Sequence, residues 1–249
     1  MRPELIEIGG VTIYSYGVMI AIAFLSGIFY AVKQAPRENI KEDHIFEVLI
    51  LTIVLAALGS RLVFVARNFG YYQDEFLWVM LGFRDGGLVF HGGFIFAAIG
   101  VFLFSYFRNY SFFKLMDLGA MLVAIGYPIA RIGCFLNGCC YGSPSDLPWA
   151  VVFPAVDDIT RHPTQLYSSL LMLFVLVLML YLRRFKFFEG FHLAWFLLLY
   201  GVYRFLVEFL RVNPEVMAGL TEPQLVSMAF IIVGAGVLLF QRTRYRVDR

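Results

Sequence analysis

Four stretches of the chain hold residue types that do chemistry, each set in apolar surroundings. Tyr200, Arg204, Glu208 and Arg211 follow one another at spacings of four, four and three, so on a helix they share one face. One reading is a self-satisfied Arg204–Glu208 pair that only fixes packing. The other is a cavity lining in which Glu208 orients Arg204 toward an anionic ligand. A guanidinium suits phosphate because its planar fork donates two parallel hydrogen bonds. The second stretch, DGGLVFHGG, sets His91 between the pairs Gly86-Gly87 and Gly92-Gly93. Such glycines permit tight turns or the close approach of a backbone to a lipid. His91 is either a structural hydrogen-bonder at a helix start or a catalyst.

The third stretch is ARIGCFLNGCCYG, with Arg131, Asn137 and Gly138. A helix is expected to end there in a glycine-rich, non-helical segment. The fourth is RHPTQLY, Arg161–Tyr167, where Pro163 suits a first helical turn and His162 and Gln165 either cap or bind. Cys134, Cys139 and Cys140 fall within seven residues. Zinc sites usually pair such a cluster with a second one or with spaced histidines. None of the four histidines is near in sequence, so no metal is expected and the cysteines read as small residues filling tight packing. Cys139 and Cys140, being adjacent, are poorly placed to bridge each other; Cys134 could pair with either.

The elements that must position these residues are transmembrane helices. Of 249 residues, 60% are hydrophobic and 15% charged, against roughly half and about a quarter in a soluble domain. The apolar residues come in long runs such as Leu170–Leu182 and Phe191–Tyr203. A spanning helix needs about 20 of them. Seven segments fit: Ile13–Val32, Ile45–Ala66, Leu88–Phe107, Leu115–Phe135, Pro163–Leu182, Phe191–Leu210 and Pro223–Phe240. Phe76–Gly82 is too short to span and reads as a surface or re-entrant turn. The fold class is therefore all-α, a polytopic membrane protein of about seven helices. It reads as one domain, 1–249, with a short non-cytoplasmic segment at 138–162. The first residues, MRPELIEIGG, do not read as a removable signal peptide.

Orientation follows from lysine and arginine, which concentrate in cytoplasmic loops. The loops 33–44, 108–114 and 183–190 and the tail 241–249 hold twelve, including every lysine; the opposite loops and the N-terminus hold five. The N-terminus is expected outside and the C-terminus in the cytoplasm. Arg61, Arg131 and Arg204 remain inside apolar segments. Each costs at least about 2.5 kcal/mol near mid-bilayer, so it should face a cavity or a partner. In this topology all three lie in outer halves of helices. Tyr16, His91, Asn137, His162 and Gln165 join them at that depth. Irregular backbone such as that after Arg131 is tolerated there only where it lines a cavity or is buried in protein.

The strings YSYG (14–17), GSRLVF (59–64), RDGGLVFHGG (84–93), ARIGCFLNG (130–138), RHPTQLY (161–167) and YGVYRFLVEFLR (200–211) resemble the signature blocks of prolipoprotein diacylglyceryl transferases, in family order. The resemblance implies a seven-helix enzyme of the bacterial inner membrane, working at the outer leaflet. Phosphatidylglycerol would give its diacylglyceryl group to the lipobox cysteine of a preprolipoprotein. Glycerol 1-phosphate would leave. By motif position, Arg131 and Arg204 would hold the phosphate and stabilise the leaving group, and His91 would be the candidate base. Tyr16, Asn137, Tyr200 and Glu208 would position lipid or arginine. Arg61, Gly92, Gly93, Gly138, His162, Gln165 and Arg211 complete the expected substrate-binding set. Neither metal nor other cofactor is implied, and nucleic acid is not an expected partner.

The chain departs from that pattern. The resemblance implies asparagine at Cys134, glutamate at Cys139 and glutamate at Ser168. Two other readings therefore stand beside it: a relative with an altered acceptor or thiol-based chemistry at the cysteines, and a non-enzymatic lipid-binding or transport protein. The second is disfavoured because no inverted repeat is visible and the in-membrane arginines stop at one half.

Overall fold

The computed structural model describes residues 1–68 and 89–247; the side chains of Val11, Phe90, His91 and 244–247 fall outside the description. The expected turn at Phe76–Gly82 and the glycines 86 and 87 also lie outside the described residues. Seven α-helices appear among those described: α1 (Ser15–Gln34), α2 (Glu42–Arg67), α3 (Phe90–Arg108), α4 (Phe112–Asn137), α5 (Thr164–Leu182), α6 (Phe191–Glu208) and α7 (Glu222–Val247). Each overlays one apolar run of the sequence. Six are long and apolar enough to cross a membrane, and α3 is the shorter apolar helix. The apolar surface turns outward as a lipid solvent requires. On α5, Leu170, Phe174 and Val177 are exposed while Met172, Val175 and Met179 are buried.

Three small hairpins appear among the described residues, one ahead of α1 and two between helices, and none was expected. Strand β1 (Glu4–Ile8) pairs with β2 (Val11–Tyr14) across Gly9-Gly10. Both glycines have positive φ, 58° and 80°, the conformation that a two-residue hairpin turn demands. Strands β3 (Val151–Val152) and β4 (Thr160–Arg161) close the segment after α4. Strands β5 (Glu215–Met217) and β6 (Leu220–Thr221) lie between α6 and α7.

The chain divides into two compact units, Met1–Ala31 with Asp117–Arg249, and Val32–Met116. In the first, Ala120, Met121 and Ala124 of α4, Met172, Val175 and Met179 of α5, and Tyr203 and Val207 of α6 form a buried core. Helices α6 and α7 approach closely: a Cβ on Gly234 would lie 2.7 Å from the Ala194 carbonyl oxygen, and one on Gly201 2.8 Å from that of Ser227. Asp117 locks the far end of this unit, accepting from the amides of Gly190 (3.0 Å) and Leu193 (2.9 Å) at the start of α6. Lys186 sits 3.2 Å from the same carboxylate. Such acceptors satisfy the open N–H groups of a helix N-terminus.

In the second unit α3 lies against α2. A Cβ on Gly92 would fall 2.4 Å from the Gly59 carbonyl oxygen, and one on Gly93 3.3 Å from that of Ala56. Small residues at membrane helix crossings let backbones meet in this way.

Candidate active site

Within the first unit, the expected site residues gather at one end: the start of α1, the end of α4, the start of α5 and the end of α6. The sequence places them there by alternation. Chains that cross back and forth bring every second helix end to the same side, and Tyr16, Arg131, Gln165 and Arg204 each occupy such an end.

Arg131 and Arg204 flank a cluster of tyrosines. Arg131 Nη2 donates to the Tyr127 hydroxyl at 2.5 Å, one helical turn earlier. Its guanidinium carbon also lies 4.7 Å from the Tyr127 ring centroid. Tyr127 packs edge-on against Tyr200 at 5.8 Å and Tyr203 at 6.1 Å. Tyr200 lies within electrostatic reach of both arginines. Arg204 donates through Nη1 to Glu208, which is 2% exposed. Glu208 also accepts from Asn213 Nδ2 and, at 3.1 Å, from Thr221 Oγ1. Three donors thus satisfy a buried carboxylate and fix its position. Among the described residues Arg204 has no other hydrogen-bond partner, so Nε and Nη2 remain for a ligand. The pair is satisfied, and the same contact fixes the orientation of the guanidinium.

Below the tyrosines α4 continues through Asn137, so the helix reaches further than expected and only the segment from Gly138 is irregular. Gly138 turns the chain at φ 76°. The loop is then held by α5. Gln165 Nε2 donates to the Cys139 carbonyl at 2.6 Å, and Thr164 Oγ1 to that of Cys140 at 2.8 Å. Gln165 is fully buried, and its Oε1 has no partner among the described residues. Gln165 therefore shapes the loop rather than capping its own helix. His162 Nδ1 faces the Tyr167 hydroxyl at 3.3 Å, and its backbone bonds Gly142 and Ser143. Gly142 fits because a Cβ there would lie 2.4 Å from the Leu210 carbonyl oxygen. Arg211, just beyond α6, has a buried Nε without a partner among the described residues.

Cys140 lies outside the spanning helices, and its pKa falls to about 5. A hydrogen bond from Cys134 is the main cause, with Arg131 and Arg211 adding their charge against the effect of burial. Burial instead pushes Cys139 up. Tyr16, half exposed in the first turn of α1, is close enough to feel all three cysteines and Arg131.

The second unit holds the remaining expected residues. Arg61 is buried on α2, its guanidinium carbon 5.3 Å from the Phe64 ring centroid. His91 is the second residue of α3, with its side chain outside the description. Gly92 and Gly93 serve the packing of α3 on α2.

A family model described as Prolipoprotein diacylglyceryl transferase matches residues 3–240. The chain belongs to that family. Among curated relatives, a phosphatidylglycerol–prolipoprotein diacylglyceryl transferase of Finegoldia magna is 37% identical over 235 residues, covering 94% of this chain and 92% of the relative. One from Clostridium tetani is 35% identical and covers 99% of each. One from Clostridioides difficile is 31% identical over 96% of each. The family is one of integral membrane proteins, and this chain is a multi-pass member.

Sequence reasoning missed Tyr127, Tyr203, Asn213 and Thr221. Tyr127 was findable, since it stands four residues before Arg131. Asn213 and Thr221 were not, because the hairpin that carries Thr221 to Glu208 leaves no periodic trace.

Proposed function

We infer that this chain transfers the diacylglyceryl group of phosphatidylglycerol to the lipobox cysteine thiol of preprolipoproteins. A carbon–sulfur bond forms, the carbon–oxygen bond to phosphate breaks, and glycerol 1-phosphate leaves with the electron pair. The observation that carries this reading is the fixed cation pair of the first unit. Arg131 is held by Tyr127 and Arg204 by the fully satisfied Glu208, with Tyr200 in the field of both. Donors fixed before the reaction stabilise charge on a leaving phosphate without reorganising. Arg211, whose buried Nε has no partner among the described residues, adds a further cation for an anionic headgroup. His91, in the second unit, is the candidate base for the thiol, whose free pKa of about 8.5 lies above that of an imidazole.

The active end faces the outer leaflet of the bacterial cytoplasmic membrane in this proposal. The N-terminus is then outside and the C-terminus cytoplasmic, as the distribution of basic residues supports. The test is direct. The purified chain is incubated with phosphatidylglycerol and a lipobox peptide, and the peptide is examined by mass spectrometry. The expected product is the diacylglyceryl thioether; an unmodified peptide, with the protein folded, would defeat the reading.

A further inference from the structure

Three thiols meet where α4 gives way to its loop. Cys134 stands in the last turn of α4, and Cys139 and Cys140 follow the turn at Gly138. Adjacent side chains ordinarily diverge, as they do along a strand or around a helix. Here Cys140 adopts φ 65°, a left-handed conformation uncommon outside glycine, asparagine and aspartate. The Cys139 amide bonds the Cys134 carbonyl at 3.1 Å, and the Cys139 thiol lies 3.7 Å from the same oxygen. Gln165 and Thr164 hold the two following carbonyls from α5. The outcome is that all three sulfurs lie within 4.8 Å of one another, and all are free thiols. Strained residues persist where their surroundings over-determine them, and they cluster at functional sites.

We propose that Cys134, Cys139 and Cys140 form a three-thiolate site for a zinc ion. Sulfur ligands at about 2.3 Å in tetrahedral array lie about 3.8 Å apart. The sulfurs close to that spacing by small side-chain rotations, since none is further than 4.8 Å from the others. Thiolates select thiophilic ions over magnesium or calcium. Three thiolates around a divalent ion carry one surplus negative charge, and Arg131 and Arg211 both act electrostatically on Cys140. Three protein ligands leave one tetrahedral position open to water, the pattern of zinc sites that remain reactive rather than closed.

The sequence alone argued against a metal, because no second cluster or histidine stood nearby. The structure removes that objection by supplying a trio from one turn. Tight packing of small residues would not call for the left-handed Cys140. A disulfide would draw two sulfurs to about 2.05 Å and leave the third thiol without a role.

The test uses the full-length reduced protein in detergent micelles, freed of metal by a chelator and titrated with zinc alone. One zinc per chain is expected, and it should slow maleimide alkylation of all three cysteines until chelator restores it. Cobalt in place of zinc should give thiolate-to-metal charge-transfer absorption. Cys134→Ser, Cys139→Ser and Cys140→Ser should each weaken uptake more than about 100-fold, since even outer-shell partners are worth 10- to 100-fold. The alkylation arm needs no variant, so misfolding of a variant does not blunt the test. Equal alkylation with and without zinc would overturn the proposal, as would zinc uptake that survives in the folded triple-serine chain. Isolation of a cysteine pair as a disulfide that zinc does not prevent would also overturn it. The titration uses neither phosphatidylglycerol nor peptide, so its failure and failure of the transferase reading are separate results.

Discussion

Arg204 gives one nitrogen to Glu208 and keeps the others, which is the arrangement of a cation aimed by its neighbour. Arg204→Lys should therefore lower turnover by about 100-fold or more, the usual worth of one preorganised donor, although the charge is kept. A lysine offers a point charge where the site uses a planar fork. Thioether formation measured on the folded variant checks this, and near-normal rates would make the pair merely structural. His91→Gln separates a base from a hydrogen-bonder. If His91 takes the thiol proton, turnover should fall by about 100- to 10,000-fold. The residual rate should then climb as pH approaches the thiol's own value of about 8.5, because more thiolate forms unaided. A mild loss with an unchanged pH–rate shape would remove His91 from the reaction. Cys140 offers a third check. With its pKa lowered to about 5, chiefly by the Cys134 hydrogen bond, it holds more thiolate near neutral pH than Cys139, whose pKa burial raises. In the metal-free protein at pH 6 to 7, iodoacetamide should modify Cys140 well before Cys139, and the preference should fade as pH falls toward 5. Equal rates throughout would contradict the asymmetry. The arginines and Glu208 were legible because a charge in an apolar run stands out. Tyr203 was not, since an aromatic in such a run reads as core until its neighbours are known.

Helices were legible for a related reason. A lipid solvent demands about 20 consecutive apolar residues per crossing, and that demand writes itself into composition whatever the helix packs against. The hairpins answer to no such demand, being two to five residues per strand. The first still carried a signal: Ile6-Glu7-Ile8 and Val11-Thr12-Ile13 alternate around Gly9-Gly10, the two-residue turn pattern of a β-hairpin. Packing between helices was less visible, because a glycine in sequence does not say which face it occupies. Gly234 and Gly236 of α7 make the point. A Cβ on Gly234 would meet the Ala194 oxygen and the Leu198 nitrogen at 2.7 Å, whereas one on Gly236 would meet nothing within 4 Å. Gly234→Ala should thus destabilise by about 1–3 kcal/mol through overpacking against backbone. Gly236→Ala should stay within about 1 kcal/mol of the parent, since alanine is the better helix former. Thermal unfolding in detergent compares them, and equal midpoints would mean that α6 and α7 do not meet as described.

At the scale of the whole chain, the two ends of the helices carry different chemistry. One end of the first unit gathers Tyr16, Arg131, the cysteines, Gln165 and Arg204; the other holds Asp117 with Lys186 and the α6 amides. The basic loop 183–190 follows α5 at that second end, which is the cytoplasmic end in the orientation proposed from the positive-inside rule. That rule counts lysine and arginine in short loops near helix ends, and the twelve-to-five split is of that kind. The prediction is tested in a chain whose three native cysteines are serine, with single cysteines introduced into chosen loops. A membrane-impermeant maleimide added to intact cells should label positions within 143–160, between α4 and α5. It should spare 108–114 and 183–190 until the membrane is permeabilised. The two spared loops serve as each other's control, because α3–α4 and α5–α6 must turn on the same side if every helix crosses once. Labelling of both from outside would invert the orientation and move the arginine pair to the inner leaflet, where a translocated lipobox cysteine could not reach it. Labelling of only one would mean that a helix between them fails to cross. The shorter α3 does not lie between those loops, so such a result would fall on α4 or α5. At 1.5 Å per residue the 26 residues of α4 reach well past about 30 Å of hydrocarbon, whereas the 19 of α5 fall just short of it and need the helical turn that continues to Phe185.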